Sequence, residues 1–274
     1  MPVISTNTAA NSAVRYLNIN AAQESSSLAK LSSGSKITKA SDDAAGLAIS
    51  TRISSDVTTL QQAATNASQA TSILQTADGG ASNISDILAR MKSLASESSS
   101  GTVTDSSRAY INSEFSQLTS EIDSIASGTR YSGQSLLDGT SAFASGVSVL
   151  VGSSASDTIT VTLSSLTASS LGIGSLDIST QSGATSALTT IDTAIDTVSS
   201  ARATIGAQES RFNFSASSIS TQTENLQSAN SAITDVDIAA EQAKLSSAEV
   251  KTQAAVSAES AANQMPQYLL KLLG

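Results

Sequence analysis

Ile191, Val198, Ile205, Phe212, Ile219, Leu226 and Ile233 stand seven residues apart in an unbroken series. A seven-residue apolar repeat sustained over that distance specifies a long, slightly supercoiled helix. Over residues 186–234 such a helix is a rod of roughly 75 Å, at about 1.5 Å per residue. It carries one apolar stripe and cannot stand alone in water, so it has to pack against other amphipathic helices.

The first half of the chain offers them. Residues 5–33 carry Val14, Leu17, Ala21, Leu28 and Leu31 at helical spacing, and Gly34 follows as a left-handed stop. Ser41 reads as the N-cap of the next helix, with Asp42 and Asp43 in its first turn, where the helix dipole favours acids. That helix carries Ile53, Val57, Leu60, Ala64, Ala67 and Leu74, alternately three and four apart but for the polar Thr71, which is a heptad seam. Gly79-Gly80 weakens the pattern. It resumes at Ile84, Ile87, Met91 and Leu94 and lapses at Ser98-Ser99-Ser100-Gly101. A further helix carries Ile111, Phe115, Leu118, Ile122 and Ile125 and ends near Gly128.

Between Gly128 and Gly183 the helical period disappears. Val147, Val149 and Val151 alternate with small or polar residues, as do Ile159, Val161 and Leu163, and Gly152 to Asp157 supplies the turn of a hairpin at about residues 141–165. The fold class is mainly α: a long helical bundle or coiled coil formed by the two halves of the chain, with a small central β-hairpin region.

Composition narrows the function. The chain has 274 residues and contains no Cys and no His. Disulfides, thiolate and imidazole metal sites and a Ser-His-Asp triad are therefore excluded. The net charge of −9, without a basic cluster, argues against nucleic acid. No stretch approaches the roughly 20 apolar residues of a membrane span. Met1 to Asn7 lacks the charged and apolar regions of a Sec-type signal peptide. Gly172-Ile173-Gly174 is too short for a nucleotide loop, and no Gly-x-Ser-x-Gly elbow is present. Neither an enzyme nor a cofactor is expected. Aromatic residues make up 3% of the chain, so its core is built largely from Ala, Ile, Leu and Val. A core this thin suggests that neighbours in an assembly complete the stability.

Both ends of the chain carry a family signature. Leu28-Ala29-Lys30-Leu31-Ser32-Ser33-Gly34-Ser35-Lys36-Ile37 and Ala40-Ser41-Asp42-Asp43-Ala44-Ala45-Gly46-Leu47-Ala48-Ile49 resemble the N-terminal signature of bacterial flagellin, as do Ile4-Ser5-Thr6-Asn7 and Leu17-Asn18. Arg202-Ala203-Thr204-Ile205-Gly206-Ala207, Arg211 and the tail Ala262-Asn263-Gln264-Met265-Pro266-Gln267 are similar to the C-terminal signature. Gly133-Gln134-Ser135-Leu136-Leu137-Asp138-Gly139 fits as well.

The resemblance implies a structural subunit that is exported unfolded through the flagellar type III apparatus. It would assemble outside the cell as a helical homopolymer, the filament that drives motility. Its implied partners are itself, the export apparatus and its chaperone, and the cap and hook-junction proteins. Residues 1–42 and 235–274 would form an inner-tube coiled coil with Val14, Leu17, Leu28, Leu31, Ile238, Leu245, Leu269 and Leu270 at its seam. Residues 43–185 and 186–234 would form the bundle, with Ile53, Val57, Leu60 and the heptad series at its seam. Little room remains for outer domains, so the filament should be thin. The Ala- and Ser-rich terminal segments bury too little surface to order alone, and are expected to fold on assembly.

A patch on flagellin bundle helices is recognised by a vertebrate Toll-like receptor, and the resemblance carries this onto Arg90, Leu94 and Glu114. Ser93 departs from the usual acid there, and the period of Leu94 equally suits a core position. Ser231 stands where flagellins commonly have Arg. Asp235, Asp237 and Glu241 could bind a cation, but a solvated turn explains them better. Two alternatives accompany the filament subunit: a hook–filament junction protein, and a flagellin-like cell-surface binding protein.

Overall fold

Capping chemistry sets most of the helix boundaries. In the computed structural model, which describes residues 7–273 and side chains through residue 265, α1 runs Thr8–Ser33. Asn7 caps it by accepting from the Ala10 amide, and Gly34 closes it at φ 69°. Helix α2 runs Ala44–Ser99. Its N-cap is Asp43, whose Oδ1 accepts from the Gly46 amide at 2.9 Å. The expected N-cap at Ser41 is corrected accordingly. Asp42 instead holds the preceding turn through the Thr38 and Lys39 amides, and these bonds, led by the Thr38 hydroxyl, keep its carboxyl below the usual range.

The Gly79-Gly80 pair does not interrupt α2. A Cβ at Gly80 would stand 2.9 Å from Leu137 Cδ1 and closer still to the Thr129 hydroxyl, so this glycine lets a neighbouring segment approach the helix. At the far end of α2, the guanidinium of buried Arg108 donates to the carbonyls of Ser98 and Ser100, both at 2.8 Å, and to Asp105. It thereby satisfies carbonyls that the helix terminus leaves open.

Helix α3 runs Asp105–Gly128 from its Thr104 cap. Two features not read from the sequence follow. Strands β1 (Arg130–Tyr131) and β2 (Gln134–Ser135) pair across Ser132-Gly133, both at positive φ, and α4 spans Ala142–Ser145. The expected hairpin is β3 (Val147–Leu150) antiparallel to β4 (Thr158–Val161), with Val147 opposite Val161 and Val149 opposite Ile159. Helix α5 runs Gln181–Thr234 from a Thr180 cap, and α6 runs Ile238–Leu273 from an Asp237 cap.

The chain divides into two units: Met1–Ser55 with Asn225–Gly274, and Asp56–Glu224. The second unit holds the main core. On α5 the large residues Ile191, Val198, Ile205, Phe212 and Ile219 are buried, interleaved with small Ala184, Ala187, Ala194 and Ala201. On α2 the buried series mixes Leu60, Leu74, Ile84, Leu88 and Met91 with Ala63, Ala67, Ala70, Ala77 and Ala81. Large and small residues alternating every three or four positions give interdigitating helix packing. Phe115 and Ile122 of α3 and Ile159 and Val161 of β4 complete the cluster. Gln208 occupies a heptad position but uses its amide as a strand edge would: Nε2 donates to the Thr162 carbonyl and Oε1 accepts from the Thr162 amide.

In the first unit, α1 and α6 run antiparallel, close enough for Cα atoms on the two helices to come within 8 Å. Of the residues expected at the bundle seam, Ile53, Leu226 and Ile233 of this unit are half-buried, as is Val57 of the second unit. The turn after α1 is tied down by a bridge between Ser35 and Asp235 and by the Lys36 amide donating to the Thr234 carbonyl. Among the described residues no helix is long and apolar enough to cross a membrane.

Candidate assembly surfaces

The seam between α1 and α6 is made mainly of small and polar side chains, with Leu17, Leu31 and Leu245 among them. On α1 the inward positions are Ala10, Ala13, Leu17, Asn20, Glu24, Ser27 and Leu31, and on α6 they are Glu241, Leu245, Ala248, Thr252, Ala255, Glu259 and Ala262. Each series steps by three and four, so both are true heptad faces. Small residues let the two backbones approach closely, and polar contacts cross the gap. Ser27 Oγ donates to Glu241 Oε1 at 2.7 Å, Thr252 Oγ1 donates to Glu24, and Asn7 Nδ2 donates to the Ala262 carbonyl. Glu241 also accepts from Lys244, and these bonds, that to Lys244 foremost, hold its carboxyl below the ordinary range.

The residues expected at the assembly seam divide between this contact and its exposed flank. Leu17 and Leu31 are half-buried in it and Leu245 is buried, but Val14, Leu28 and Ile238 are exposed. Leu28 is 58% exposed and Ile238 67%. Val14 and Leu28 each lie one position from a seam residue, on the flank. The expected seam weighted the largest side chains, whereas close approach of two helices selects the smallest. Leu269 and Leu270 lie outside the residues whose side chains are described. Ile19, Val250, Val256 and Met265, none of them singled out as apolar contacts in the sequence, join the outward apolar set.

The acidic trio at the α5–α6 junction is fully engaged. Asp235 accepts from Ser231 and Thr234, Asp237 caps α6, and Glu241 sits in the seam. Among the described residues no group of carboxylates could hold a metal ion.

In the second unit, Arg90 donates through Nε and Nη2 to Glu114 Oε1 at 3.0 and 2.7 Å, joining α2 to α3 at the surface. Leu94, carried over with this pair, is buried in the core at 2% exposure, so the pair and the leucine do not share a surface. Lys92–Asp192 and Arg202–Asp78 tie α2 to α5. Near the latter, Glu209 Oε1 is buried with no hydrogen-bond partner among the described residues, and burial together with the Asp78 charge pushes its carboxyl up. Tyr110 and Phe214 project almost fully, at 79% and 76% exposure.

Comparison with known proteins places these surfaces in a family. The model for the bacterial flagellin N-terminal helical region matches residues 4–142, and that for the C-terminal helical region matches residues 188–273. A flagellin of Halalkalibacterium halodurans is 36% identical over 273 residues, covering 99% of both chains. The flagellar filament 30.7 kDa core protein of Treponema maltophilum is 34% identical, again over 99% of both. The crystal structure of Bacillus cereus flagellin is 30% identical, covers 61% of this chain and 94% of that one, and superposes with a TM-score of 0.52. A flagellar hook-associated protein of Vibrio parahaemolyticus, 15% identical at a TM-score of 0.58, shares the fold. With both helical regions matched and relatives aligned end to end, the chain belongs to the bacterial flagellin family.

Proposed function

We infer that this flagellin is the structural subunit of a helical flagellar filament. The observation that carries the reading is the exposure of large apolar side chains on the α1/α6 pair: Ile19, Leu28, Ile238, Val250 and Val256 are exposed, while small and polar groups, beside Leu17, Leu31 and Leu245, make up most of the seam. Ile19 and Leu28 stand half a turn apart around α1, so the exposed apolar side chains are spread over more than one side of the pair and can meet several neighbouring copies. The flagellin relatives supply the occupant, further copies of the same chain.

The seam also bears on when the helices form. Each seam alanine withdraws one methyl group, worth about 0.8 kcal/mol. Ordering the backbone costs about 1–2 kcal/mol per residue. Contacts within the pair alone do not balance that cost, and folding of the terminal helices is coupled to assembly. Passage through the flagellar export apparatus with a chaperone, and contact with cap and hook-junction proteins, belong to the same proposal, which rests there on the flagellin resemblance. Recognition by a Toll-like receptor is proposed only for the exposed Arg90–Glu114 pair, with Arg90→Ala in a receptor reporter assay as its test.

The hook-junction reading draws on a relative that shares the fold at 15% identity, whereas the curated flagellins match end to end. The filament reading is tested by seeded polymerisation of the full chain beside a truncation lacking residues 238–274. Filaments from the full chain alone support it. A monomeric full chain, under conditions where another flagellin polymerises, contradicts it.

A further inference from the structure

Between α2 and β3 the second unit carries a groove of about 370 Å³ with Ala70, Ile73, Phe143 and Val147 on its floor. None of its lining residues is charged. Its rim is polar, for a reason set by the register of the hairpin. Val151 donates to the Asp157 carbonyl at 2.8 Å, and Val147 stands opposite Val161, so the odd-numbered residues of β3 bond to β4. Ser148 and Leu150 turn their backbone groups the other way, towards α2. The Leu150 carbonyl meets Asn66 Nδ2 there at 3.3 Å. The backbone of Ser148 and the exposed side chain of Gln69 stand at the rim of the groove.

The same unit carries a side chain that matches this groove. Tyr110 on α3 is 79% exposed, and Ser106, Ser107 and Ser113 around it are small and exposed, so another surface can close over the ring. Glu114, one turn further along α3, is already paired with Arg90. A tyrosine is apolar along its ring and polar at its tip, and such residues anchor the buried centres of interfaces. Phe214 is nearly as exposed but has no polar group for the rim of the groove. Tyr110 does not reach the groove of its own chain. The Arg90–Glu114 pair sets α3 beside Arg90 of α2, and Tyr110 lies one turn beyond it, towards the α2–α3 connection. Arg90 and Ile73 alone are about 25 Å apart along α2, at about 1.5 Å per residue.

We propose that Tyr110 of one copy seats in the α2–β3 groove of another, as a head-to-tail contact between second units. The proposal rests on the filament reading. The ring covers Ile73 and Phe143, and the phenol hydroxyl meets Gln69 or the outward backbone of Ser148. The two surfaces differ and lie at separate levels of the unit, so the contact is heterologous. Repeated without closing, a contact of this kind generates an open helical array. It belongs wholly to Asp56–Glu224 and uses no residue of the terminal helices.

The test has two measurements on the full chain. The first is the critical concentration for seeded polymerisation of wild type, Tyr110→Phe and Tyr110→Ser. Tyr110→Ser removes the anchor and should raise it roughly tenfold or more, whereas Tyr110→Phe keeps the ring and should raise it only a few-fold. Tyr110 is exposed within the chain, so the thermal midpoint of the monomer should not move with either change. The second locates the contact. The chain has no Cys, so Gln69→Cys/Ser113→Cys introduces its only thiols, one beside the groove and one beside Tyr110. In filaments of this variant a short bis-maleimide should link copies into a ladder of multimers. Either single variant has one thiol per chain and stops at the dimer. An unchanged critical concentration for Tyr110→Ser overturns the proposal. So do filaments of the double variant that yield nothing above the dimer. Absence of filaments from the wild type refutes the filament reading itself.

Discussion

Ser27 on α1 donates its hydroxyl to Glu241 Oε1 on α6 at 2.7 Å, a buried polar contact in a seam lined mainly by small and polar side chains. Truncating Glu241 to Ala strands the Ser27 hydroxyl in that seam, at a cost of about 1–3 kcal/mol. Glu241→Ala should raise the critical concentration for polymerisation roughly tenfold or more. An unchanged value would show that the contact contributes nothing to pairing.

The same carboxylate gives the pair a pH dependence. Its bonds to Lys244 and Ser27 hold the Glu241 carboxyl below its ordinary value in the folded state. A group depressed in this way contributes stability above its unfolded pKa and loses it as pH falls through the folded one. Filaments should therefore weaken on acidification below the usual glutamate range. Glu241→Gln, which cannot titrate, should be weaker at neutral pH and show a shallower acid limb in a dissociation profile.

Glu209 has the opposite sign. Burial and the Asp78 charge push its carboxyl up, so at neutral pH the ionised form opposes folding of the second unit. Glu209→Gln should raise the thermal midpoint of that unit at pH 7, and the gain should shrink as pH approaches 4. A lower midpoint would mean that the carboxylate has a favourable partner.

Adjacent glycines on α2 should respond oppositely to alanine. A Cβ at Gly79 meets nothing within 4 Å, so Gly79→Ala should stabilise by about 1 kcal/mol. A Cβ at Gly80 collides with Thr129 and with Leu137, a buried residue, so Gly80→Ala should cost about 1–3 kcal/mol. Denaturant unfolding of the pair checks both signs at once.

What could be read from the sequence, and what could not, follows from these contacts. The repeat from Ile191 to Ile233 was legible because large residues at strict spacing have one explanation. Its core in the second unit packs as that period demands. The α1/α6 seam was illegible because Ala, Ser and Thr are abundant along the whole chain and their period is lost in the background. Val14, Leu28 and Ile238 stood out by size, and they are exposed beside the α1/α6 contact. Asp43 rather than Ser41 caps α2 because Asp42 is engaged by the preceding turn, a competition that a linear pattern does not reveal. The role of Arg108 was equally hidden, since two of its three partners are backbone carbonyls. Arg90 and Glu114 were singled out only through family resemblance, and no local signal marks them as a pair.

Copies of the chain meet through the outward apolar side chains of the terminal helices. Electron microscopy after seeding, with wild type beside Leu28→Ser/Val250→Ser, tests this most directly. Both positions are exposed within the chain, so the substitutions leave the α1/α6 seam and the second unit intact. Long filaments are expected from the wild type and none from the variant at the same concentration. Filaments of equal length and number from both would contradict it.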